Sequence, residues 1–183
     1  FTINNGTLTI TPASLTIPGA TSSTTYDASL KTNTTSVSGL LGSDSVSSVD
    51  GLASGINAGS YSDNLSGASG TGLGNYTISY VNGGLKINRA VLTLTGAAGQ
   101  LTYDGTAQSN TYTLSGVQGA DLTKLTVTGS GSGSNAGVYA DNLQLSDNAG
   151  GALLANYDLS ISNSSLTIAA RAASLVGKVS SQE

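Results

Sequence analysis

Histidine and cysteine are both absent from this chain, as are methionine and tryptophan, and there is a single phenylalanine. Without His or Cys there is no Ser-His-Asp or Cys-His catalytic group, no zinc site of the usual ligands and no disulfide framework. Charge is scarce too. Asp, Glu, Lys and Arg make up 9% of the 183 residues, against about 25% in an average soluble domain. Only Glu183 represents glutamate, so the paired carboxylates of a glycosidase have little to draw on. These absences predict a protein that is not an enzyme and holds no cofactor.

Positive charge is the scarcer sign. Six Lys and Arg against ten acidic residues leave a net charge of -4, with no basic stripe to neutralise phosphates, so nucleic acid is not an expected partner. Membrane insertion is not expected either, because no apolar run approaches the roughly 20 residues of a spanning helix. The chain opens at Phe1 in a strand-like pattern without an initiator Met, which reads as a piece of a longer polypeptide.

What the sequence has in quantity is Gly, Ser, Thr and Asn, arranged as an internal repeat. Ala13-Ser14-Leu15-Thr16-Ile17 matches Ala90-Val91-Leu92-Thr93-Leu94, and Tyr26-Asp27-Ala28 matches Tyr103-Asp104-Gly105, both 77 residues on. Gly42 and Asp44 match Gly119 and Asp121 at the same spacing. Asn57 to Tyr61 matches Asn135 to Tyr139 at 78, and Asn75-Tyr76 matches Asn156-Tyr157 at 81. Drift of the spacing in Gly/Ser segments is what loop insertions produce. The organisation predicted is an end hairpin of a preceding repeat at 1–12, complete repeats at 13–88 and 89–169, and the start of a following repeat at 170–183.

Apolar residues alternate with Ser and Thr in Leu8, Ile10; Leu15, Ile17; Tyr76, Ile78, Tyr80; Leu85, Ile87; Leu92, Leu94; and Tyr157, Leu159, Ile161. Period two predicts half-buried strands throughout. Short helical turns are expected only near Leu40 to Val46 and Gly119 to Leu125, and Gly67 to Gly74 and Gly129 to Gly133 read as loops. Asn82-Gly83 predicts a type I′ hairpin that sets Tyr80 opposite Leu85 and Ile78 opposite Ile87. The same construction at Asn5-Gly6 pairs Ile3 with Leu8 and Phe1 with Ile10. At Asn163-Ser164 it pairs Ile161 with Leu166 and Leu159 with Ile168.

The acids Asp27, Asp104, Asp44, Asp121, Asp63 and Asp141 recur at matched positions. Oxygen clusters of this kind can bind calcium; the favoured reading is that they cap turns, since Asp beside Gly bonds nearby amides and no Asp-x-Asp-x-Asp-Gly loop is present. Lys31, Lys86, Lys124 and Lys178 do not recur, which disfavours an internal isopeptide crosslink. Asn5, Asn33, Asn64, Asn75 and Asn163 lie in Asn-x-Ser/Thr, no more often than Ser and Thr abundance accounts for. Outward Thr7, Thr9, Thr93 and Thr95 reflect strand propensity rather than an ice-binding ladder.

Three features together resemble a known family: the string Asn75 to Ile87, the string Leu101 to Thr106, and the Ala-Gly-x-Tyr strings ending at Tyr61 and Tyr139. They are similar to the MBG and YDG repeats found in tandem in very large secreted bacterial adhesins, including filamentous-haemagglutinin-like proteins exported by two-partner secretion. Ala28 departs from the usual Gly and implies a different turn there. The resemblance implies an extracellular or cell-surface location and a stalk in a biofilm or adhesion protein, with adjacent repeats of the same chain as partners. Surface glycan or matrix polysaccharide would be met by other parts of the parent. The fold expected is all-β, built as tandem elongated repeats. An immunoglobulin-like sandwich is favoured over a β-grasp-like variant because Tyr61 and Tyr139 fit a tyrosine corner. The rival function is a glycan- or protein-binding module that uses the Gly/Ser loops. Tyr26, Tyr103, Tyr61, Tyr139, Asn82, Gly83 and Asn163 are the residues expected to carry structural roles.

Overall fold

The computed structural model describes residues 1–2 and 4–177, which divide into two compact units with the boundary between Arg89 and Ala90. Both are all-β, made of small two- and three-stranded sheets with short 3₁₀ turns. Among the described residues no helix is long and apolar enough to cross a membrane.

The first unit contains β1 (Ala13–Pro18), β2 (Thr21–Thr25), β3 (Lys31–Thr32), β4 (Ser45–Asp50), β5 (Ser54–Gly55), β6 (Gly59–Ser62), β7 (Ser66–Thr71), β8 (Tyr76–Val81) and β9 (Gly84–Asn88). Its first and last strands pair in parallel: β1 with β8 from Ala13↔Tyr76 to Pro18↔Val81, then β2 with β9 from Thr21↔Gly84 to Thr25↔Asn88. Antiparallel β6 completes the second of these sheets, and β3 with β5 and β4 with β7 form two further antiparallel pairs.

The second unit contains β10 (Ala90–Gly96), β11 (Gly99–Thr102), β12 (Gln108–Ser109), β13 (Tyr112–Ser115), β14 (Leu125–Thr128), β15 (Ser132–Gly133), β16 (Gly137–Ala140), β17 (Gln144–Asp147), β18 (Tyr157–Ser162) and β19 (Ser165–Ala169). The parallel pairs are β10 with β18 and β11 with β19, flanked by antiparallel β13 and β16.

Period two delivers the cores. Leu15 and Ile17 are buried on β1, Leu85 and Ile87 on β9, Leu92 and Leu94 on β10, and Leu166 and Ile168 on β19, while the intervening Ser14, Thr16, Lys86 and Val91 face outward. Each buried Leu or Ile contributes about 1.5–3 kcal/mol by leaving water. In the first unit Leu15, Ile17 and Tyr76 form a cluster against which Val37, Leu40, Val46 and Leu73 pack.

The expected hairpins are not formed. β8 and β9 flank Asn82-Gly83 but belong to different sheets, as do β18 and β19 about Asn163-Ser164, so Tyr80 does not face Leu85, nor Ile161 Leu166. A type I′ turn needs positive φ at both central residues. Neither Asn82 nor Gly83 has it, and neither does Asn163 or Ser164. The chain instead stays extended and crosses from one sheet to the next, beside a matching crossing at Pro18 to Ala20. Rungs run through this corner, Gly19 N–H to Val81 O at 2.9 Å and Gly84 N–H to Ala20 O at 2.9 Å. Gly83 is required by close approach, since a Cβ there would lie 2.2 Å from Ala20 O. At the N-terminus, the described residues among 1–12 belong to no strand, so Phe1 and Ile10 are not paired; Ile3, expected opposite Leu8, lies outside the described residues.

Two loop expectations also change. Gly67 to Gly74 is mostly strand β7, followed by a 3₁₀ turn at Leu73–Asn75, and Gly129 to Gly133 ends in β15. Gly70 can sit in a strand because β4 passes so close that a Cβ would lie 1.9 Å from Ser45 O. A 3₁₀ turn forms at Gly119–Lys124, as the sequence predicts, but not over Leu40 to Val46, and a third occurs at Leu154–Asn156.

One rung of the second unit has no counterpart in the first. In the second, Thr95 pairs with Thr113 within the β10–β13 ladder, two residues from the Ala97 N–H to Thr111 O bond. Pro18 stands 77 residues before Thr95 and has no N–H to give. The corresponding edge of the first unit lacks that rung and keeps the Gly19↔Thr35 bridge with the Ala20 N–H to Thr34 O bond at 2.8 Å.

Candidate functional site

The polar residues that recur in the sequence converge on the corner where the first and last strands change sheets. In the first unit Asp63, 4% exposed, is its centre. Its Oδ1 accepts from the Ala53 amide at 2.7 Å and from Asn33 Nδ2 at 3.1 Å. Its Oδ2 accepts from Asn33 Nδ2 at 2.9 Å and from the Gly83 amide at 3.1 Å. Asn33 Nδ2 also donates to Ala20 O at 2.7 Å. One carboxylate and one amide thus tie the β1–β2 corner to the β8–β9 corner.

Asp141 repeats the arrangement. It accepts from Gly131 N–H at 2.8 Å, Ser164 N–H at 3.1 Å and Asn110 Nδ2 at 3.0 and 2.9 Å, and Asn110 donates to Ala97 O at 2.7 Å. Burial pushes the Asp141 carboxyl up, but the hydrogen bonds from Gly131, Asn110 and Ser164 outweigh it and hold the group below the ordinary carboxylate range. Sequence reasoning missed Asn33 and Asn110 as members of this network. The available signal was their spacing of 77, the same as that of the Tyr-Asp strings.

The two amides differ at their oxygen. Ser22 Oγ donates to Asn33 Oδ1 at 2.7 Å. Gly99 occupies the position 77 residues on from Ser22, and Asn110 Oδ1, in a residue only 6% exposed, has no hydrogen-bond partner.

Asn82, Gly83 and Asn163 have structural roles other than a hairpin turn. Asn82 Oδ1 accepts from Leu65 N–H and Asn163 Oδ1 from Leu143 N–H, each at 2.8 Å. Tyr61 and Tyr139 hydroxyls donate to the carbonyls four residues upstream, Asn57 at 2.9 Å and Asn135 at 3.0 Å, the bond of a tyrosine corner. Their rings are half-buried. They lie over Gly55 and Gly133, where a Cβ would stand 2.3 and 2.0 Å from the ring.

Asp27 and Asp104 cap turns as their sequence context predicts. Asp27 Oδ1 accepts from Ser29 N–H and Oγ, and Asp104 Oδ1 from Thr106 N–H and Oγ1. The Lys31 ammonium bonded to Asp27, with Ser29, brings that carboxyl down to about 2. Ala28 adopts φ 64° and Gly105 φ 85°, so the Ala departure does not change the turn type; it places an L-residue in the left-handed region. Tyr26 is buried and Tyr103 is 40% exposed, so the two Tyr-Asp strings share a turn but not a packing environment.

Asp44 and Asp121 accept from the Tyr76 and Tyr157 hydroxyls at 2.9 and 2.8 Å. Those hydroxyls in turn accept from the Leu41 and Gln118 amides. Burial, with Asp121 alongside, pushes the Tyr157 hydroxyl up to about 12. Asp147, unremarked in the sequence, binds the amides of Ala149, Gly151 and Leu154 and shapes the loop before β18.

The carboxylates therefore spend their lone pairs on protein donors at separate places. Among the described residues no three acidic groups come together to hold a metal ion. Asn33 is buried in its network, while Asn64 and Asn75 are exposed. Comparison with known proteins finds no matching family model, no matching curated protein and no matching solved structure.

Proposed function

We propose that the chain is a structural spacer from the stalk of a bacterial cell-surface or biofilm-matrix adhesin, made of tandem sandwich-type repeats of the MBG/YDG kind, without enzymatic activity. The observation that carries this reading is where the recurring polar side chains go. Asp63, Asp141, Asp44, Asp121, Asn82 and Asn163 all bond to groups of their own unit. A binding module would hold some of its repeated polar groups for a ligand. Strands that cross between sheets at Gly19 and Gly83 favour a sandwich, where corner strands do this.

The second reading, a glycan- or protein-binding module using Gly67 to Gly74 or Gly129 to Gly133, loses support at the first of these segments, where Ser66–Thr71 is strand, while in the second only Ser132–Gly133 is. Deleting 13–169 from the parent protein tests the choice. Under the spacer reading the surface fibre shortens and affinity for purified receptor is unchanged. Loss of that affinity supports the binding module, and a calcium-dependent rise in melting temperature supports a metal site.

A further inference from the structure

We propose that each unit is a tension-bearing module, in which the parallel pairing of first and last strands is a clamp that a pull along the chain loads in shear. The proposal rests on the spacer reading for its biological setting, because a stalk transmits pull from one end to the other, but its physical content stands on strand order alone.

In the first unit the chain enters the ladder at Ala13 and leaves it at Asn88. These residues lie at opposite ends of one ladder that runs from Ala13↔Tyr76 to Thr25↔Asn88. It continues unbroken through the corner by the Gly19–Val81 and Gly84–Ala20 bonds and is extended by Tyr26 N–H to Asn88 O at 2.9 Å. Pulling the two ends apart slides β1 against β8 and β2 against β9, each pair along its own strand direction. Every rung is then strained together, and none can fail first and relieve the rest. A hairpin pulled from its open end would lose its rungs one by one.

Two features oppose the slide. Leu15 and Ile17 on one side of the ladder and Leu85 and Ile87 on the other are buried, and displacement by one residue would turn such a set toward the wrong face. At mid-ladder, Asn33 holds Ala20 O on the first corner and Asp63 holds the Gly83 amide on the last, with Asn33 and Asp63 bonded to each other. This polar bolt crosses the shear plane. The second unit has the same arrangement, with β10 and β11 parallel to β18 and β19. There Asn110 holds Ala97 O and Asp141 holds the Ser164 amide.

The test exploits the absence of cysteine, which makes introduced thiols the only attachment points for single-molecule pulling. In the full chain, Thr11→Cys with Arg89→Cys loads the first unit in shear. Thr11→Cys with Asn75→Cys places both handles at the same end of the ladder and peels β1 from β8. All three positions are exposed. Forced unfolding is governed by the unfolding rate, so at one pulling speed the shear pair should need a several-fold higher force than the peeling pair. Adding Asp63→Ala to the shear pair should lower that force. Equal forces, or a higher force for the peeling pair, would overturn the clamp while leaving the spacer reading intact. The spacer reading instead stands or falls on the deletion in the parent.

Discussion

Asn33 and Asp63, thirty residues apart, meet as a buried amide–carboxylate pair, Nδ2 lying 3.1 and 2.9 Å from the two carboxylate oxygens. Neither residue has a local reason to be where it is. Together they satisfy backbone groups on both crossing strands, and Asn110 with Asp141 does the same in the second unit. A carboxylate this deeply buried is tolerated because its oxygens accept several hydrogen bonds.

Acid should be the condition that loosens both units. Asp27 titrates at about 2 in the folded chain against an ordinary 3.8, and Asp104, Asp141 and Asp147 are also lowered. A lowered folded pKa contributes stability that is present above the unfolded value and is lost as pH falls through the folded one. With no histidine to titrate between pH 5 and 8, the melting temperature should be nearly flat from pH 7 to 5 and fall from about pH 4 toward pH 2. A steep loss between pH 7 and 5 would contradict this assignment.

Ala28→Gly should stabilise the first unit by roughly 1 kcal/mol, since an L-residue in the left-handed region costs about that much. Gly105→Ala should cost the second unit a similar amount, and by backbone strain alone, because its Cβ would meet nothing within 4 Å. Urea unfolding of the two variants measures both signs.

Gly99→Ser would place a Cβ 2.5 Å from Asn110 Oδ1 and 3.1 Å from Leu166 Cδ1, which displaces Asn110 from its bonds to Ala97 and Asp141, so the variant should be destabilised by about 1–3 kcal/mol. The reverse change, Ser22→Gly, should cost about 1–2 kcal/mol by orphaning Asn33 Oδ1. Denaturation midpoints should fall for both variants.

The sequence made some of this legible. Alternation located Leu15, Ile17, Leu85, Ile87, Leu92 and Leu94 on buried faces because strand period depends only on local geometry, but it also put Leu8 and Ile10 in a strand, where the described chain has none, and Leu159 and Ile161 on a buried face, where both are exposed. The Asp27 and Asp104 turns were readable because their acceptors sit two residues from their donors. Asn82-Gly83 misled because its hairpin signal is also local, whereas its backbone is set by the Asp63 carboxylate, the Leu65 amide and the adjoining Ala20 strand. Nothing within a short window of sequence announces a partner twenty or sixty residues away. Only the repeat carries that information, through matched positions such as Asn33 and Asn110.

The central claim is that these recurring side chains fasten their own unit, and a double-mutant cycle on Asn110→Ala and Asp141→Ala tests it most directly. Buried hydrogen bonds to a charged group contribute about 1.5–3 kcal/mol, so urea unfolding should show Asp141→Ala strongly destabilising and the pair coupled by at least about 1 kcal/mol. Near-neutral single variants, or effects additive within about 0.5 kcal/mol, would contradict the account.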